Sequence, residues 1–231
     1  MIRTRDEEAV REITIDRPAA RNALRPTELT ALHSAIDGTD RPVAYLCGAG
    51  DAFCAGADLD VVADLDDPEA FARRGQRLAA AVAGADAVVV CGIDGAARGG
   101  GVELAAAADV RVATPAATFA EPGVSFGLFG AWGGTVRLPR VMGEGEALDF
   151  ALSGRVLDAD EALRTGLVSR VVDDPRAVAD EIAAGKPDAL RAIKRRVRDR
   201  RDEGTQERAE ATAFGELVRS HASEIAADRD G

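Results

Sequence analysis

The sequence predicts a single α/β domain, because its apolar content is high and because strand, glycine-rich turn, helix and strand follow one another. Hydrophobic residues make up 46% of the 231 residues and aromatic residues only 4%, so the chain can bury a sizeable core of small side chains. The clearest unit is a buried strand at Val88–Ile93, a helix at Val102–Ala108 opened by Gly99–Gly101, and a strand at Val110–Ala113. This order of elements is typical of α/β folds.

The chain before this unit shows the same mixture of elements. They are predicted in order as a strand at Val10–Ile15, a helix at Pro26–Ile36, a strand at Val43–Cys47, a turn at Gly48–Asp51 and a helix at Gln76–Ala85. Residues 61–77 are acidic and weakly patterned, which indicates a mobile helical loop over a site. Residues 115–139, rich in Gly, Pro and aromatics, are predicted to form further loops around that site.

The last third of the chain is predicted to be mostly helical. Its elements are a helix at Asp158–Gly166, a strand at Leu167–Val172, and helices near residues 174–184, 187–202 and 205–226. No linker and no internal repeat separates this part from the rest. We therefore predict one domain, with a catalytic core at residues 1–173 and a C-terminal helical region at residues 174–231.

The charge balance restricts the partners that the chain can bind. Acidic residues number 40 against 29 basic ones, for a formal net charge of −11, and such a surface repels nucleic acid and anionic membranes. Only Lys186 and Lys194 are lysines. A high-salt cytoplasm selects for this combination, which indicates a halophile, and a GC-rich genome that encodes Arg in place of Lys explains it equally well.

Cysteine and histidine are too scattered for a disulfide framework or a zinc site. Cys47, Cys54 and Cys91 form no C-x-x-C pair, and His33 and His221 are far apart. No metal ligand set is predicted. The sequence also shows no charged-then-apolar leader and no apolar run of membrane-spanning length, so we expect a cytoplasmic protein.

The glycine triplet and Glu103 together suggest an acid–base site. The N–H groups at a helix N-terminus are unpaired and carry partial positive charge, and Gly100 lets a ligand oxygen approach them closely. A carboxylate one turn into the helix, in an apolar pocket, can serve as a base for water or for an α-proton. The alternative is a turn that needs glycine only for its conformation, with Glu103 favouring the helix N-terminus.

A second segment, Phe53–Leu59, also brings small residues up to an acidic one. Asp58 is predicted to cap a helix there. The segment can supply a second backbone N–H, and an oxyanion is held best by two converging donors.

These segments resemble the enoyl-CoA hydratase/isomerase (crotonase) family in order and spacing. The resemblance rests on Arg21–Leu24, Phe53–Leu59, Gly99–Leu104, Phe119–Pro122, Gly133–Leu138 and Ala162–Val168, and it runs from about residue 10 to about residue 215. It implies a spiral of ββα turns capped by C-terminal helices, assembled as a homotrimer or hexamer. The implied substrate is an acyl-CoA thioester, so coenzyme A belongs to the substrate and no separate cofactor is expected.

The resemblance also implies roles for particular residues. The N–H groups of Ala57 and Gly100 are expected to form the oxyanion hole around the thioester carbonyl. The residues expected along coenzyme A are Arg21, Asn22, Ala23, Leu24, Ala55, Gly56 and Asp58, with Arg21 a candidate for a phosphate or simply solvated. Trp132, the only tryptophan, is expected either to wall the acyl pocket or to pack in the core.

One position departs from the family's pattern. Hydratases of the family use a carboxylate that matches Glu103 to activate water and a second one to protonate the α-carbon. The second belongs directly after Pro122, where this chain has Gly123. Glu121 can substitute if the backbone there is extended, since residues i and i+2 share a face.

Three activities remain open on this basis. We favour hydration of the 2,3-double bond of an enoyl-CoA, with Glu103 alone or aided by Glu121. The alternatives are a one-base reaction such as double-bond isomerisation, and a weakly catalytic acyl-CoA-binding subunit.

A serine hydrolase is the rival from another class. Gly123–Gly127 matches G-x-S-x-G with Ser125 at its centre, and His221 follows far downstream. The nucleophile elbow needs a helix after the serine, and Leu128–Ala131 is poor helix material. We therefore expect no catalytic role for Ser125.

Overall fold

The computed structural model describes residues 1–229 and divides into two compact units, Met1–Ala183 and a second one from Ala184 onward. The predicted C-terminal region begins earlier, at residue 174, and its last two residues lie outside the described ones. The predicted division into core and C-terminal region stays a prediction.

The first unit contains two β-sheets. Its strands are β1 (Ile2–Glu7), β2 (Val10–Ile15), β3 (Val43–Gly48), β4 (Ala52–Cys54), β5 (Val88–Ile93), β6 (Ala96–Arg98), β7 (Val110–Ala113), β8 (Thr118–Ala120), β9 (Leu157–Asp158) and β10 (Arg170–Val171). The larger sheet has the order β1-β2-β3-β5-β7-β10 and the smaller one β4-β6-β8-β9. Pairing is parallel except for β1 with β2 and β8 with β9.

Helices connect and cover these sheets. Those of the first unit are α1 (Pro26–Asp37), α2 (Leu59–Ala63), α3 (Pro68–Gly84), α4 (Gly100–Ala107), α5 (Gly134–Met142), α6 (Glu144–Ser153), α7 (Ala159–Arg164) and α8 (Pro175–Ala183). Short 3₁₀ helices lie at Pro18–Ala20 and Pro122–Phe126. Every residue of β5 is buried, as expected for a parallel strand that is covered on both faces.

The chain winds through the two sheets in repeated turns. β3 lies in the larger sheet, β4 in the smaller one, and α2 and α3 follow. The same sequence recurs with β5, β6 and α4, and again with β7 and β8 before the second 3₁₀ helix and α5. This confirms the predicted spiral of ββα turns.

The prediction for residues 61–77 was wrong in its boundaries. A helix was expected only from Gln76, but α3 begins eight residues earlier, at Pro68. Asp67 caps it by accepting a hydrogen bond from the Ala70 N–H (2.8 Å), and proline suits the first helical position. One face of this helix is buried and carries Phe71, Gly75, Leu78, Ala79 and Val82. Charged residues lie between them in the sequence, so the helical spacing of the apolar positions was not recognised.

Residues 115–139 also contain more regular structure than predicted. β8 and most of α5 fall within them, and α5 was missed because it starts with Gly134 and contains Pro139. β1 and α6 were not predicted either. The strand predicted at Leu167–Val172 is limited to the two residues of β10.

The second unit consists of α9 (Pro187–Val197) and α10 (Glu203–Arg229). An ion pair between Lys186 and Glu224 (2.7 Å) and a contact between His221 Nε2 and Asp188 Oδ2 (2.8 Å) join residues before and within α9 to α10. Within residues 1–229, no helix combines the length and apolar character needed to cross a membrane.

Candidate active site

A cavity of about 330 Å³ lies in the first unit where α2, α3 and the start of α4 face the segment that follows β8. The predicted residues Ala55, Ala57, Gly100, Glu103, Glu121 and Trp132 all line it. Its other walls are largely apolar. Ligand pockets commonly have this composition, in which a few polar groups converge in an apolar cleft.

Two backbone segments meet at the polar end of the cavity. Leu24 and Ala57 form an isolated parallel bridge, in which the Leu24 N–H donates to Gly56 O (2.7 Å) and the Asp58 N–H donates to Leu24 O (3.1 Å). Because N–H directions alternate along an extended chain, the Ala57 N–H points away from that bridge. Within residues 1–229, neither the Ala57 nor the Gly100 N–H has a hydrogen-bond acceptor. These two donors are therefore available to a ligand oxygen.

Glycine is required where these segments touch. Gly56 has a positive φ of 84°, and a Cβ there would lie 2.8 Å from Gly100 N. A Cβ at Gly100 would lie 2.3 Å from the Trp132 ring. The missing side chains let the backbone of residues 55–57 approach the N-terminus of α4, and that approach brings the two donor residues to one cavity.

Glu103 lies in the first turn of α4 and is only 2% exposed. Its Oε1 accepts hydrogen bonds from the backbone N–H groups of Trp132 (2.9 Å) and Gly134 (2.5 Å). Gly134 is the first residue of α5, so the carboxylate also faces a helix N-terminus. Burial nevertheless dominates and raises the pKa of Glu103 to about 7.

Glu121 is the second buried carboxyl group of the cavity, at 5% exposure. Its Oε1 has no hydrogen-bond partner among the described residues. Burial first, and then the charge of Glu103, raise the pKa of Glu121 to about 8. The two carboxyl groups are close enough to influence each other's protonation.

Glu121 does not reach the cavity in the way that the sequence suggested. The sequence allowed Glu121 to replace a carboxylate at position 123 if the backbone there is extended, but a 3₁₀ helix begins at Pro122. Glu121 instead follows β8 directly and lines the cavity from the end of that strand. A Cβ at Gly123 would meet Leu128 O at 3.0 Å, so the position after Pro122 is crowded by backbone.

Trp132 packs in the core and also lines the cavity, and its role as a wall for an acyl group stays a prediction. Its side chain is 4% exposed and meets Phe71 of α3 edge-on, with 6.0 Å between ring centroids. It also lines the cavity. The apolar wall added by α2, α3 and the residues between them includes Val62, Leu65 and Phe71. These residues were not predicted individually, because residues 61–77 were expected to form a mobile helical loop without a clear apolar face.

Residues 21–24 make most of their contacts with other parts of the protein and are largely buried. Asn22 is fully buried, accepts from the Arg17 N–H (2.8 Å), and donates to Ala49 O (2.9 Å) and Ala52 O (2.6 Å). Leu24 is fully buried and Ala23 nearly so. The side chains of Asn22 and Leu24 therefore do not face an external ligand, and within this segment only the exposed Arg21 is available to one.

Asp58 differs from its predicted role as a side-chain cap. It occupies the residue before α2, but its carboxylate makes no capping hydrogen bond. Its Oδ2 accepts from Arg17 at 2.7 Å, and the same Arg17 nitrogen donates to Ala23 O at 2.8 Å. This ion pair fastens the 21–24 segment to the 55–58 segment. The sequence did not indicate this role of Arg17, because its partner Asp58 lies 41 residues further along the chain.

Ser125 does not occupy the nucleophile elbow that a serine hydrolase needs. Ser125 is exposed within the five-residue 3₁₀ helix rather than at a strand-to-helix elbow. His221 belongs to the second unit and contacts Asp188. Within the described chain, no three His, Cys, Asp or Glu side chains are grouped so that they could hold a metal ion.

We accordingly expect Ser125→Ala to leave catalytic turnover near the parental value, because the side chain forms no part of the cavity wall. Steady-state assay of both proteins measures this. Labelling of Ser125 by a fluorophosphonate, together with loss of activity in the variant, would contradict it.

An apolar cavity with two free N–H donors and two buried carboxyl groups is an arrangement suited to holding an oxyanion and to acid–base chemistry. Residues 5–227 match the family model described as enoyl-CoA hydratase/isomerase. The chain belongs to this family.

Individual relatives agree with that assignment. A crotonyl-CoA hydratase of Syntrophomonas wolfei is 36% identical over 160 residues, which cover 66% of this chain and 62% of the relative. The matches thus span about three fifths of the length of the curated relatives. The crystal structure of an enoyl-CoA hydratase from Bacillus anthracis matches with a TM-score of 0.89 and 28% identity, over 99% of this chain and 96% of that one. One from Thermoplasma volcanium matches with a TM-score of 0.87 and 30% identity, over 95% and 92%.

Proposed function

We propose that this chain hydrates the 2,3-double bond of an enoyl-CoA thioester. The observation that supports this most directly is the pair of buried carboxyl groups, Glu103 and Glu121, in one cavity with the unoccupied N–H groups of Ala57 and Gly100. Hydration needs a base for water, an acid for the α-carbon and a site for the enolate oxygen. Each requirement has a candidate in this cavity.

In the proposed reaction, the thioester oxygen accepts hydrogen bonds from Ala57 and Gly100. Glu103 takes a proton from water, the hydroxide oxygen bonds to the β-carbon, and the electrons of the double bond move to the enolate oxygen. The enolate then collapses as Glu121 gives its proton to the α-carbon. The proton that Glu103 gained returns to Glu121 through solvent, so the net change is the addition of one water.

The pKa values support this division of roles. With a pKa near 7, Glu103 is substantially ionised around neutral pH, whereas Glu121, with a pKa near 8, retains its proton. Two neighbouring carboxyl groups whose environments separate their titrations can act as base and acid in one step.

The proposal extends to the position of coenzyme A, the oligomeric state and the metabolic role. Coenzyme A is part of the substrate, and its pantetheine and nucleotide are expected along the backbone of residues 55–57 and near Arg21. We also propose a homotrimer or hexamer in the cytoplasm that acts in acyl-CoA or fatty acid metabolism by β-oxidation, without a separate cofactor.

Incubation with a panel of 2-enoyl-CoA thioesters tests the reaction. We expect a product that is heavier by one water, measured by mass spectrometry, and heavy-oxygen water should label it. The matching free acids should neither react nor bind comparably, because they lack the coenzyme contacts. A product of unchanged mass with a shifted double bond would replace hydration with isomerisation.

Isomerisation is the second candidate, and Gly123 is the observation that favours it. If Glu121 takes no part, one carboxylate remains, and one base suffices to move a proton between two carbons of the acyl chain. A protein that binds acyl-CoA tightly but converts none of the panel would instead be a binding subunit.

A further inference from the structure

The Glu103 carboxylate is held by a short stretch of backbone, residues 131–134, which we call the 131–134 segment. Its Oε1 accepts from the Trp132 N–H (2.9 Å) and from the Gly134 N–H (2.5 Å). These donors belong to the first and third peptide groups of the segment, and the middle peptide group joins Trp132 to Gly133. The orientation of these peptide groups therefore decides how Glu103 is held.

Side chains from two helices fasten the 131–134 segment. From α3, Gln76 Nε2 donates to Ala131 O (2.9 Å), the carbonyl of the peptide group whose N–H binds Glu103. From α5, Arg137 Nη1 donates to Trp132 O (3.3 Å), the carbonyl of the middle peptide group. A carbonyl that accepts a hydrogen bond polarises the N–H of its own peptide group, so the Gln76 contact strengthens a donor that Glu103 uses.

Arg137 reaches the segment because Gly133 has no side chain. Gly133 has a positive φ of 106°, and a Cβ there would lie 2.0 Å from Arg137 Nη1. The half-buried guanidinium thus covers the face of Gly133. The Arg137 N–H also donates to Gly133 O (3.0 Å), the carbonyl of the third peptide group. Through its side chain and its backbone, one residue contacts two of the three peptide groups.

The charge of Arg137 also acts on Glu103. Burial raises the pKa of Glu103, the two backbone N–H groups lower it, and the positive charge of Arg137 lowers it further. Glu121, at the end of β8, opposes this effect when it is ionised, because like charges disfavour each other. From α3, the neutral Gln76 acts on the segment only through its hydrogen bond.

We propose that Arg137 is a positioning residue for Glu103, because it fixes the backbone that holds the carboxylate and presents a positive charge to it. A base that titrates near the working pH responds strongly to one neighbouring charge. The inference rests on the proposed function, which makes Glu103 the base. Its effect on the carboxyl group is nevertheless measurable without any substrate.

Titration of the Glu103 carboxyl group tests the proposal directly. Protein with isotopically labelled glutamate carboxyl carbons is followed by NMR as the pH is varied, and Glu103→Gln identifies the Glu103 signal by its loss. Arg137→Met removes the hydrogen bond and the charge, and should raise the pKa of Glu103 by about one pH unit, the low end of what a neighbouring opposite charge contributes. Arg137→Lys keeps the charge and should restore most of the difference.

Arg140→Met is the matched control. Arg140 is exposed on the same helix, and the hydrogen bonds that fasten the 131–134 segment do not involve it. The pKa of Glu103 should therefore keep its parental value in this variant. Should Arg137→Met fail to fold, Arg137→Gln, which retains a donor for the Trp132 carbonyl, provides the same comparison of charge.

Kinetics gives a second readout. The rising limb of kcat for the best enoyl-CoA should move to higher pH in Arg137→Met by the same amount as the titration, and should stay in place in Arg140→Met. If Arg137→Met lowers the unfolding temperature but leaves the Glu103 titration unmoved, Arg137 only stabilises the fold and the proposal is wrong. If the parent converts no enoyl-CoA, the proposed function fails, while the titration still decides whether Arg137 acts on Glu103.

Discussion

Glu103→Gln is expected to lower kcat for the best enoyl-CoA substrate by about a hundred- to ten-thousand-fold, the usual contribution of a general base. Glutamine keeps the oxygen that accepts from the Trp132 and Gly134 N–H groups, so the local structure should persist. Binding of the thioester should change little, since the Ala57 and Gly100 donors remain. Steady-state kinetics and calorimetry on the same variant separate the two effects.

Glu28→Gln provides the matched control. Glu28 is also a buried carboxyl group, but it pairs with Arg25, which lowers its pKa to about 2, and it does not line the cavity. We expect it to reduce stability and to leave kcat near the parental value. Parental turnover in Glu103→Gln would show that Glu103 is not the base and that another group performs the proton transfer.

Glu121→Gln is expected to cause a comparable loss, because an amide cannot deliver a proton to the α-carbon. The pH profile gives a more specific readout. In the parent, kcat should rise as Glu103 loses its proton near pH 7 and fall as Glu121 loses its proton near pH 8. The falling limb should be absent from whatever activity the variant retains.

A different outcome for Glu121→Gln would change the assignment. If kcat and its alkaline limb both match the parent, Glu121 plays no part in proton transfer. Glu103 would then be the single working carboxylate, and a one-base reaction such as double-bond isomerisation would become the better description of the chemistry.

Local signals in the sequence were sufficient for the framework of the fold. β5 and β7 are short apolar runs with no competing pattern, and the glycine triplet directly precedes α4, so their bounds were predicted to within two residues. The position of Glu103 near a helix N-terminus followed from the same local reasoning. The spiral of ββα turns came instead from the resemblance to a family.

The contacts that shape the site are between distant residues, and these could not be read from local patterns. The Glu103 carboxylate is held by N–H groups 29 and 31 residues further along, at the start of a helix that was predicted as loop. Asn22 was assigned to the ligand because its segment matched, although three hydrogen bonds turn its side chain inward. Glu121 was identified as a candidate on the condition that the backbone after it is extended, whereas the structure has a 3₁₀ helix there.

The raised pKa values of Glu103 and Glu121 carry a thermodynamic consequence for the whole domain. In the unfolded chain both carboxyl groups titrate near 4.5, whereas folding shifts them to about 7 and about 8. Between the unfolded pKa of 4.5 and the folded pKa values, the folded state therefore binds more protons than the unfolded state. Stability that is fully present below pH 4.5 declines as the pH rises and is lost once it passes the folded pKa values.

Each pKa unit corresponds to about 1.4 kcal/mol, so the two shifts together are large beside the roughly 5–15 kcal/mol that separates native from unfolded domains. The two groups proposed to perform the chemistry thus oppose folding under the conditions in which they would work. A glutamine at position 103 or 121 carries no charge at any pH and therefore causes no such loss of stability. In mild alkali, Glu103→Gln and Glu121→Gln should unfold at a higher temperature than the parent if they lose turnover only because the carboxyl group is absent. A variant that loses turnover because its structure is disrupted should unfold at a lower temperature than the parent.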